Sequence, residues 1–460
     1  MEDKKMDFGK VLAVLAQTKE KPAPLEAVRQ EKMEVPYLKN DGETDVRKLR
    51  LYIPEEAKSP MPLIYVPHYE MGEDALELRA YLAQGWAVAS PTEAPQNANG
   101  GLTGDNLVFN SAALYTLRHL NWVDADRVVL VGGSAGAYMT LMLDALQLGL
   151  CGSVANGPIA NLYFNFYKYW PYANSLNLTK LLEIKAKAEA DPDRKADPLA
   201  VMQALKDLPI PFIAALNAGF EPMMSNFPNK EDVSRWEAFS PVALAECFSN
   251  PIMINHNTSD ILVPIDQITK RFTYEKPGAS LPESFSSRLP KDYPGKLSAS
   301  LEERLPKEKT SVTRLVIEDP NADGTLPFDP GKAFCINIYD NGPVEGYGSH
   351  SAVIGTGHWD DVPYLRFLME RGAANSGFLT KEKLALLLDR YNGKSVQLPA
   401  HEGSVYGSAS VYRAEVGEQL LRWASLHGKA SLEELAETLT DEQKTALREI
   451  LCLFLTGEHA

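Results

Sequence analysis

Residues 127–141 read Arg-Val-Val-Leu-Val-Gly-Gly-Ser-Ala-Gly-Ala-Tyr-Met-Thr-Leu, and no other stretch limits the fold so tightly. Val128–Val131 are apolar on both faces, which suits a strand covered on both sides, and the run passes without a linker into a helical pattern. The turn between them has to be sharp. Gly132 and Gly136, two residues before and two after Ser134, leave the room such a turn needs, and Ser134 stands at its apex with the hydroxyl outward. Other short apolar runs lie on either side: Pro62–Val66 and Ala87–Ser90 before it, Cys151–Ala155, Pro251–Asn255 and Ala333–Tyr339 after it. Helical stretches such as Ala75–Gln84 and Asn106–Leu120 separate the early ones. This alternation predicts an α/β domain on a mostly parallel sheet.

Ahead of it, Lys32–Leu38 and Val46–Ile53 alternate in period two around Asn40-Asp41-Gly42, which predicts an antiparallel N-terminal hairpin. A helix-like segment, Phe8–Ala16, precedes the hairpin. The later strands are too far apart for simple crossovers. Residues 161–246 hold an aromatic cluster followed by charged helical sequence and are expected to form a helical cap inserted over the sheet edge. This makes 1–160 the first half of the core and 247–375 the second. Within the second half, 274–330 is rich in Pro and charge and is expected as a surface excursion with a strand near Arg314–Ile317. Residues 376–460 are expected as a helical C-terminal extension, with a capping box at Ser431–Glu434.

The chain has 460 residues with 46 Lys plus Arg against 61 Asp plus Glu, a net charge of −15. Such a surface repels polyphosphate, so neither a nucleic acid nor an anionic membrane is expected as partner. The longest uncharged stretch, Ala145–Tyr167, carries Gln147, Asn156, Pro158, Asn161 and Asn165 and does not suit a membrane span. Cysteines at 151, 247, 335 and 452 form no C-x-x-C pair, so no metal site and no disulfide framework is expected. The opening Met-Glu-Asp-Lys-Lys-Met-Asp lacks the charge pattern of a signal peptide, and a cytoplasmic location is the expectation.

A serine hydroxyl becomes a useful nucleophile when an imidazole removes its proton, and that imidazole needs a carboxylate to fix its tautomer and stabilise its charged form. Asp260 is the acid candidate: it lies just beyond the carboxyl end of the Pro251–Asn255 run, on the rim where Ser134 also lies. The base candidate is His350, which ends the Gly-rich Gly346-Tyr347-Gly348-Ser349 loop after the last strand. His358 competes with it but sits beside Asp360, Asp361 and Pro363, where a final helix begins. The oxyanion of a tetrahedral intermediate needs donors: the Ala135 N–H, and the Tyr69 N–H in the loop Pro67-His68-Tyr69-Glu70-Met71-Gly72, with the Tyr69 phenol as a further donor. His68, Tyr163, Phe164 and Tyr167 are candidates for lining a substrate pocket, His68 also serving as a structural residue under the loop and the aromatics also suiting plain packing. His119 and His256 read as helix-end and core-edge residues. Asp319–Gly324 begins like a calcium loop, but its twelfth position is Pro330, so a turn is expected.

With these residues in this order the chain resembles the α/β-hydrolase superfamily, in its acyl-peptidase and carboxylesterase branch with an inserted cap. The resemblance runs in element order from about Glu31 to Arg371 and is most specific over Pro62–Leu143 and Pro251–Gln267. It implies the chain order Ser, acid, His, an eight-stranded and mostly parallel sheet, hydrolysis of esters, thioesters or amides through an acyl-enzyme, and no cofactor. Many relatives carry His-Gly-Gly where this chain has His68-Tyr69-Glu70, and Asp260 and His350 are 90 residues apart (350 − 260), more than one helical crossover. The expected activity is that of a serine hydrolase on a small or medium carboxylic ester or thioester. Peptidase or amidase action on short peptides, and ligand binding without catalysis, are the other readings. A homo-oligomer through the C-terminal helices is left open.

Overall fold

The computed structural model describes residues 25–38, 44–92, 102, 105–118, 120–146, 150–175, 182, 186, 224, 227, 229–245, 248, 250–258, 260, 262–272, 293–316, 328–340, 350 and 361–373. The first two strands, β1 (Val28–Leu38) and β2 (Thr44–Pro54), pair antiparallel with Leu38 opposite Thr44 and Val28 opposite Pro54. Their alternation places Val35, Tyr37, Leu49, Leu51 and Ile53 inside. The expected turn, Asn40-Asp41-Gly42, lies outside the described residues.

Seven further strands join the same sheet: β3 (Met61–Tyr65), β4 (Ala87–Pro91), β5 (Val123–Gly133), β6 (Gly152–Asn156), β7 (Ile252–Asn257), β8 (Thr310–Val316) and β9 (Phe334–Asp340). The strand order is β1-β2-β4-β3-β5-β6-β7-β9-β8. β2 runs antiparallel to β4, and every pairing from β4 to β8 across the sheet is parallel. The mostly parallel α/β sheet with its antiparallel N-terminal pair is as expected, but it has nine strands where eight were expected. The edge strand β8 comes out of the Pro-rich excursion, where Thr310, Val312 and Thr313 supply β-branched side chains that suit a pleated edge.

Within the buried strands, neighbouring residues divide between the two faces. Leu63, Tyr65, Val128 and Leu130 belong to one core, Ile64, Val66, Val129 and Val131 to the other. The first is covered by α2 (Asp105–Arg118) and α3 (Ala135–Leu146), through Leu107, Leu114, Met139 and Leu143. The second is covered by α1 (Leu76–Ala83) and α4 (Val362–Arg371), through Leu78, Tyr81, Leu365 and Leu368. Each fully buried Leu or Val contributes about 1.5–3 kcal/mol of transfer free energy, so apolarity on both faces is what keeps β3 and β5 central.

The connections reverse direction at these two strands. From β3 the chain steps outward to β4, then returns past β3 to β5 and continues to β6 on the other side. Such a reversal opens a crevice above the carboxyl ends of β3 and β5, where Pro67 and Ser134 follow the two strands. Among the described residues no helix is long and apolar enough to cross a membrane. Cys151 and Cys335 are buried free thiols. The Phe8–Ala16 segment, His119, Cys247, the Asp319–Gly324 turn, His358, Cys452 and all of 376–460 lie outside the described residues, as does most of 176–226.

Candidate active site

Ser134 joins β5 to α3 with a φ of 54°, a left-handed conformation that costs a residue with a side chain on the order of 1–3 kcal/mol. Neighbouring contacts hold it there. Its N–H donates to the carbonyl of Asn156 at the end of β6 (2.8 Å), and its own carbonyl accepts the N–H of Tyr138 (3.0 Å), which makes it the N-cap of α3. A Cβ at position 132 would stand 2.3 Å from the Gly136 carbonyl oxygen and 2.6 Å from Thr140 Oγ1. At position 136 it would stand 3.0 Å from the Pro67 carbonyl oxygen and 3.4 Å from the Tyr69 ring. Gly132 therefore lets the turn close on itself, while Gly136 lets the loop after β3 lie over it. Ala135 is the first residue of α3, where backbone N–H groups have no acceptor within the helix and the helix dipole favours negative charge.

Asp260 follows β7 and is fully buried. Oδ1 accepts the backbone N–H groups of Leu262 and Val263, both at 2.9 Å. Oδ2 lies 2.6 Å from His350 Nδ1. The other ring nitrogen, His350 Nε2, lies 2.8 Å from Ser134 Oγ. Burial alone would raise the Asp260 pKa, but the charge of His350 and its hydrogen bond, then His256 and the Val263 N–H, hold the carboxyl below its ordinary range. His256, also fully buried, is four residues before Asp260, and its Nε2 lies 3.9 Å from Oδ2. Burial pushes the His256 pKa down, so this imidazole stays neutral.

The loop after β3 is pinned to β2 and β4. The Met71 N–H donates to Ser90 Oγ (2.9 Å), Tyr52 Oη donates to the Met71 carbonyl (2.9 Å), and Glu70 pairs with Arg50 (2.8 Å). His68 takes a φ of 78° with its ring buried edge-on against Tyr69, centroids 4.3 Å apart. The Tyr69 N–H turns back to the Pro67 carbonyl (3.1 Å), while its ring, 42% exposed, reaches toward Gly136.

Tyr163, Phe164 and Tyr167 lie in a π-helix, Tyr163–Tyr169, that follows β6. Tyr163 packs edge-on against Tyr167, Trp236 and Tyr293, and the Tyr167 hydroxyl donates to Glu231 (2.7 Å). Other residues of this region serve the acid loop. Trp170 Nε1 (2.8 Å) and Asn165 Nδ2 (3.3 Å) both donate to the Leu262 carbonyl. Gln267 Nε2 donates to Asn165 Oδ1 (2.7 Å), and its Oε1 accepts the Ala160 and Asn161 N–H groups. Neither Asn165 nor Gln267 stood out in sequence, and Trp170 only as one ring of the aromatic cluster. The available signal for Asn165 was an amide between Phe164 and Phe166, which when buried has to be hydrogen-bonded. His256, read as a core-edge residue, is in the core and also against the acid.

No protein-family model matches the chain, and no curated protein matches it. Solved structures similar to it include the acylaminoacyl peptidase of Pyrococcus horikoshii, at 11% identity over 78% of this chain and 41% of that one, with a TM-score of 0.39. Acetyl xylan esterase 1 of a Thermoanaerobacterium species shows 13% identity over 76% of this chain and 86% of that one, with a TM-score of 0.36. Puromycin hydrolase shows 14% identity over 53% of this chain and 33% of that one, with a TM-score of 0.33. The chain thus spans less than half the length of the peptidase and about a third that of puromycin hydrolase. At these identities and TM-scores the chemistry is read from the site itself.

The two glycines should respond differently to substitution. Gly132→Ala meets backbone at 2.3 Å and is expected to cost about 3 kcal/mol or more. Gly136→Ala meets its neighbour at 3.0 Å and regains helix propensity of about 1 kcal/mol, so its net change should be small. Urea unfolding of the two variants checks this, and equal losses would contradict it.

Acid should destabilise the protein through two groups with the same sign. The Asp260 carboxyl ionises more readily folded than unfolded, so its contribution is present above its unfolded pKa and disappears as pH falls through the folded one. His256 binds a proton less readily folded than unfolded, so the unfolded chain gains protons first below about pH 6.5. Tm is expected to fall steadily from pH 7 to pH 4, and less steeply over pH 7 to 5 in His256→Phe. A flat Tm across that range would contradict the burial of these groups.

Proposed function

We propose that the chain is a serine hydrolase of the α/β-hydrolase superfamily, in the acyl-peptidase and carboxylesterase branch, and that it cleaves a small or medium carboxylic ester or thioester. One observation carries this reading: a single imidazole, His350, lies 2.6 Å from the Asp260 carboxylate and 2.8 Å from the Ser134 hydroxyl. Ser134 Oγ attacks the carbonyl carbon as its proton passes to His350 Nε2, and the Nδ1–H donates to Asp260 Oδ2 throughout, which stabilises the imidazolium. The tetrahedral intermediate collapses when His350 returns the proton to the leaving alkoxide or thiolate. Water, deprotonated by the same nitrogen, then attacks the acyl-serine and releases the carboxylic acid and Ser134.

The oxyanion needs two donors in this reading. We assign the first to the Ala135 N–H at the start of α3. With the Tyr69 N–H directed at the Pro67 carbonyl (3.1 Å), we assign the second to the Tyr69 phenol, whose ring passes over Gly136. Residues 161–246 are assigned as the cap over this rim, with His68, Tyr163, Phe164 and Tyr167 on the side where the acyl or leaving group would bind. The core at 1–160 and 247–375 and the extension at 376–460 belong to the same reading.

A fluorophosphonate should label wild-type protein at one site per chain and fail on Ser134→Ala, whose ester turnover should fall about 10⁴-fold or more. Wild-type protein that neither labels nor turns over activated esters would overturn the assignment, and matched ester and amide substrates decide between esterase and peptidase. Tyr69→Phe is expected to lower kcat about 10²-fold with KM little changed. An unchanged kcat would return the oxyanion role to the backbone.

A further inference from the structure

Asp260 has more around it than the mechanism above uses. Its Oδ2 faces two imidazoles, His350 at 2.6 Å and His256 at 3.9 Å, and both rings are buried. The hydrogen bonds of His256 fix which nitrogen points at the acid. The Asn257 N–H donates to His256 Nδ1 at 2.9 Å. The Asn257 carbonyl oxygen also lies 3.1 Å from that nitrogen. An amide N–H always carries its hydrogen, however, and a second hydrogen on Nδ1 would meet it head-on. Nδ1 is therefore the acceptor, and the neutral ring carries its proton on Nε2. Among the described residues Nε2 has no partner at full hydrogen-bond distance; Asp260 Oδ2 lies 3.9 Å from it, and the Val263 backbone also acts on the ring. The groups acting on the ring are Asp260, His350 and the backbones of Asn257 and Val263.

We propose that His256 is a positioning residue for the acid, an imidazole whose Nε2–H dipole is directed at the carboxylate oxygen that holds His350. The proposal rests on the hydrolase reading above. The dipole acts in two ways. It favours the carboxylate rotamer that presents Oδ2 to His350, and its positive end offsets part of the negative charge that stabilises the His350 imidazolium. The second effect weakens the hold of the carboxylate on the proton that His350 takes from Ser134. A charged His256 would do the opposite of helping, since two imidazolium ions would compete for one carboxylate, so burial that keeps it neutral is part of the device.

His256→Phe keeps the ring and removes the dipole, whereas His256→Gln keeps an N–H that reaches toward Asp260. In wild-type protein that labels with fluorophosphonate, the acid limb of kcat/KM against pH reports the base of the free enzyme. His256→Phe should move that limb upward by about half a pH unit or more, and His256→Gln should bring it back toward the wild-type position. A limb that stays in place in His256→Phe, whether or not the rate falls, overturns the proposal while leaving the hydrolase reading intact. Absence of labelling in wild type would instead strike the hydrolase reading. Should His256→Phe fail to fold, ¹⁵N spectra of histidine-labelled wild type decide: at pH 8 the His256 signals should report a ring with its proton on Nε2. The opposite tautomer overturns the proposal.

Discussion

The close approach of Gly132 to the Gly136 carbonyl is the contact on which the rest of this arrangement depends. With no side chain in that gap, β5 turns into α3 within a few residues, and Ser134 is forced into its left-handed conformation with a backbone N–H bound to Asn156. That bond continues sideways. Asn156, Asn255 and Asn337 are partners across β6, β7 and β9, and their side chains form a ladder, Asn255 Nδ2 donating to Asn156 Oδ1 at 2.7 Å and Asn337 Nδ2 to Asn255 Oδ1 at 3.0 Å. Three strands are thus tied together in one row, at the end of β6 and within β7 and β9, close to the serine turn and the Asp260 loop.

The same rim shows how a charge is kept inside a protein. A carboxylate removed from water costs several kcal/mol unless it is paired and hydrogen-bonded. Asp260 meets that cost with two backbone donors on one oxygen and an imidazole on the other. The loop that supplies those donors is itself held through the Leu262 carbonyl by Trp170 and Asn165. The aromatic helix after β6 therefore supports the acid with its polar edge while its rings pack against Trp236 and Tyr293. A change in that helix reaches Ser134 through three successive hydrogen-bonded residues.

Much of the sheet was legible because its physics is local. Runs such as Leu63–Val66 and Val128–Val131 are apolar at every position, and only a strand covered on both faces buries them all. The Ser134 turn was legible for a steric reason, two glycines at fixed spacing. Asp260 and His350 could be singled out by their places after strand ends, but the distance between them is a property of the folded sheet, set by the β7–β9 pairing across a long intervening segment. His256 escaped for another reason: in an apolar strand a histidine looks like a core residue, and it is one. Its second relation, to an acid four residues on, depends on how the chain folds back after Asn257. The count of eight strands was what the resemblance implied, whereas the strand expected near Arg314–Ile317 within the Pro-rich stretch is the observed β8, Thr310–Val316.

The central claim is that Ser134 becomes covalently acylated. Stopped-flow mixing with a p-nitrophenyl ester tests it most directly when combined with intact and peptide mass spectrometry on the quenched protein. Acylation predicts a burst of one p-nitrophenolate per chain and an acyl group on the peptide that carries Ser134, both lost when that serine becomes alanine. Turnover without a burst and without an adduct, or an adduct on another residue, would contradict it.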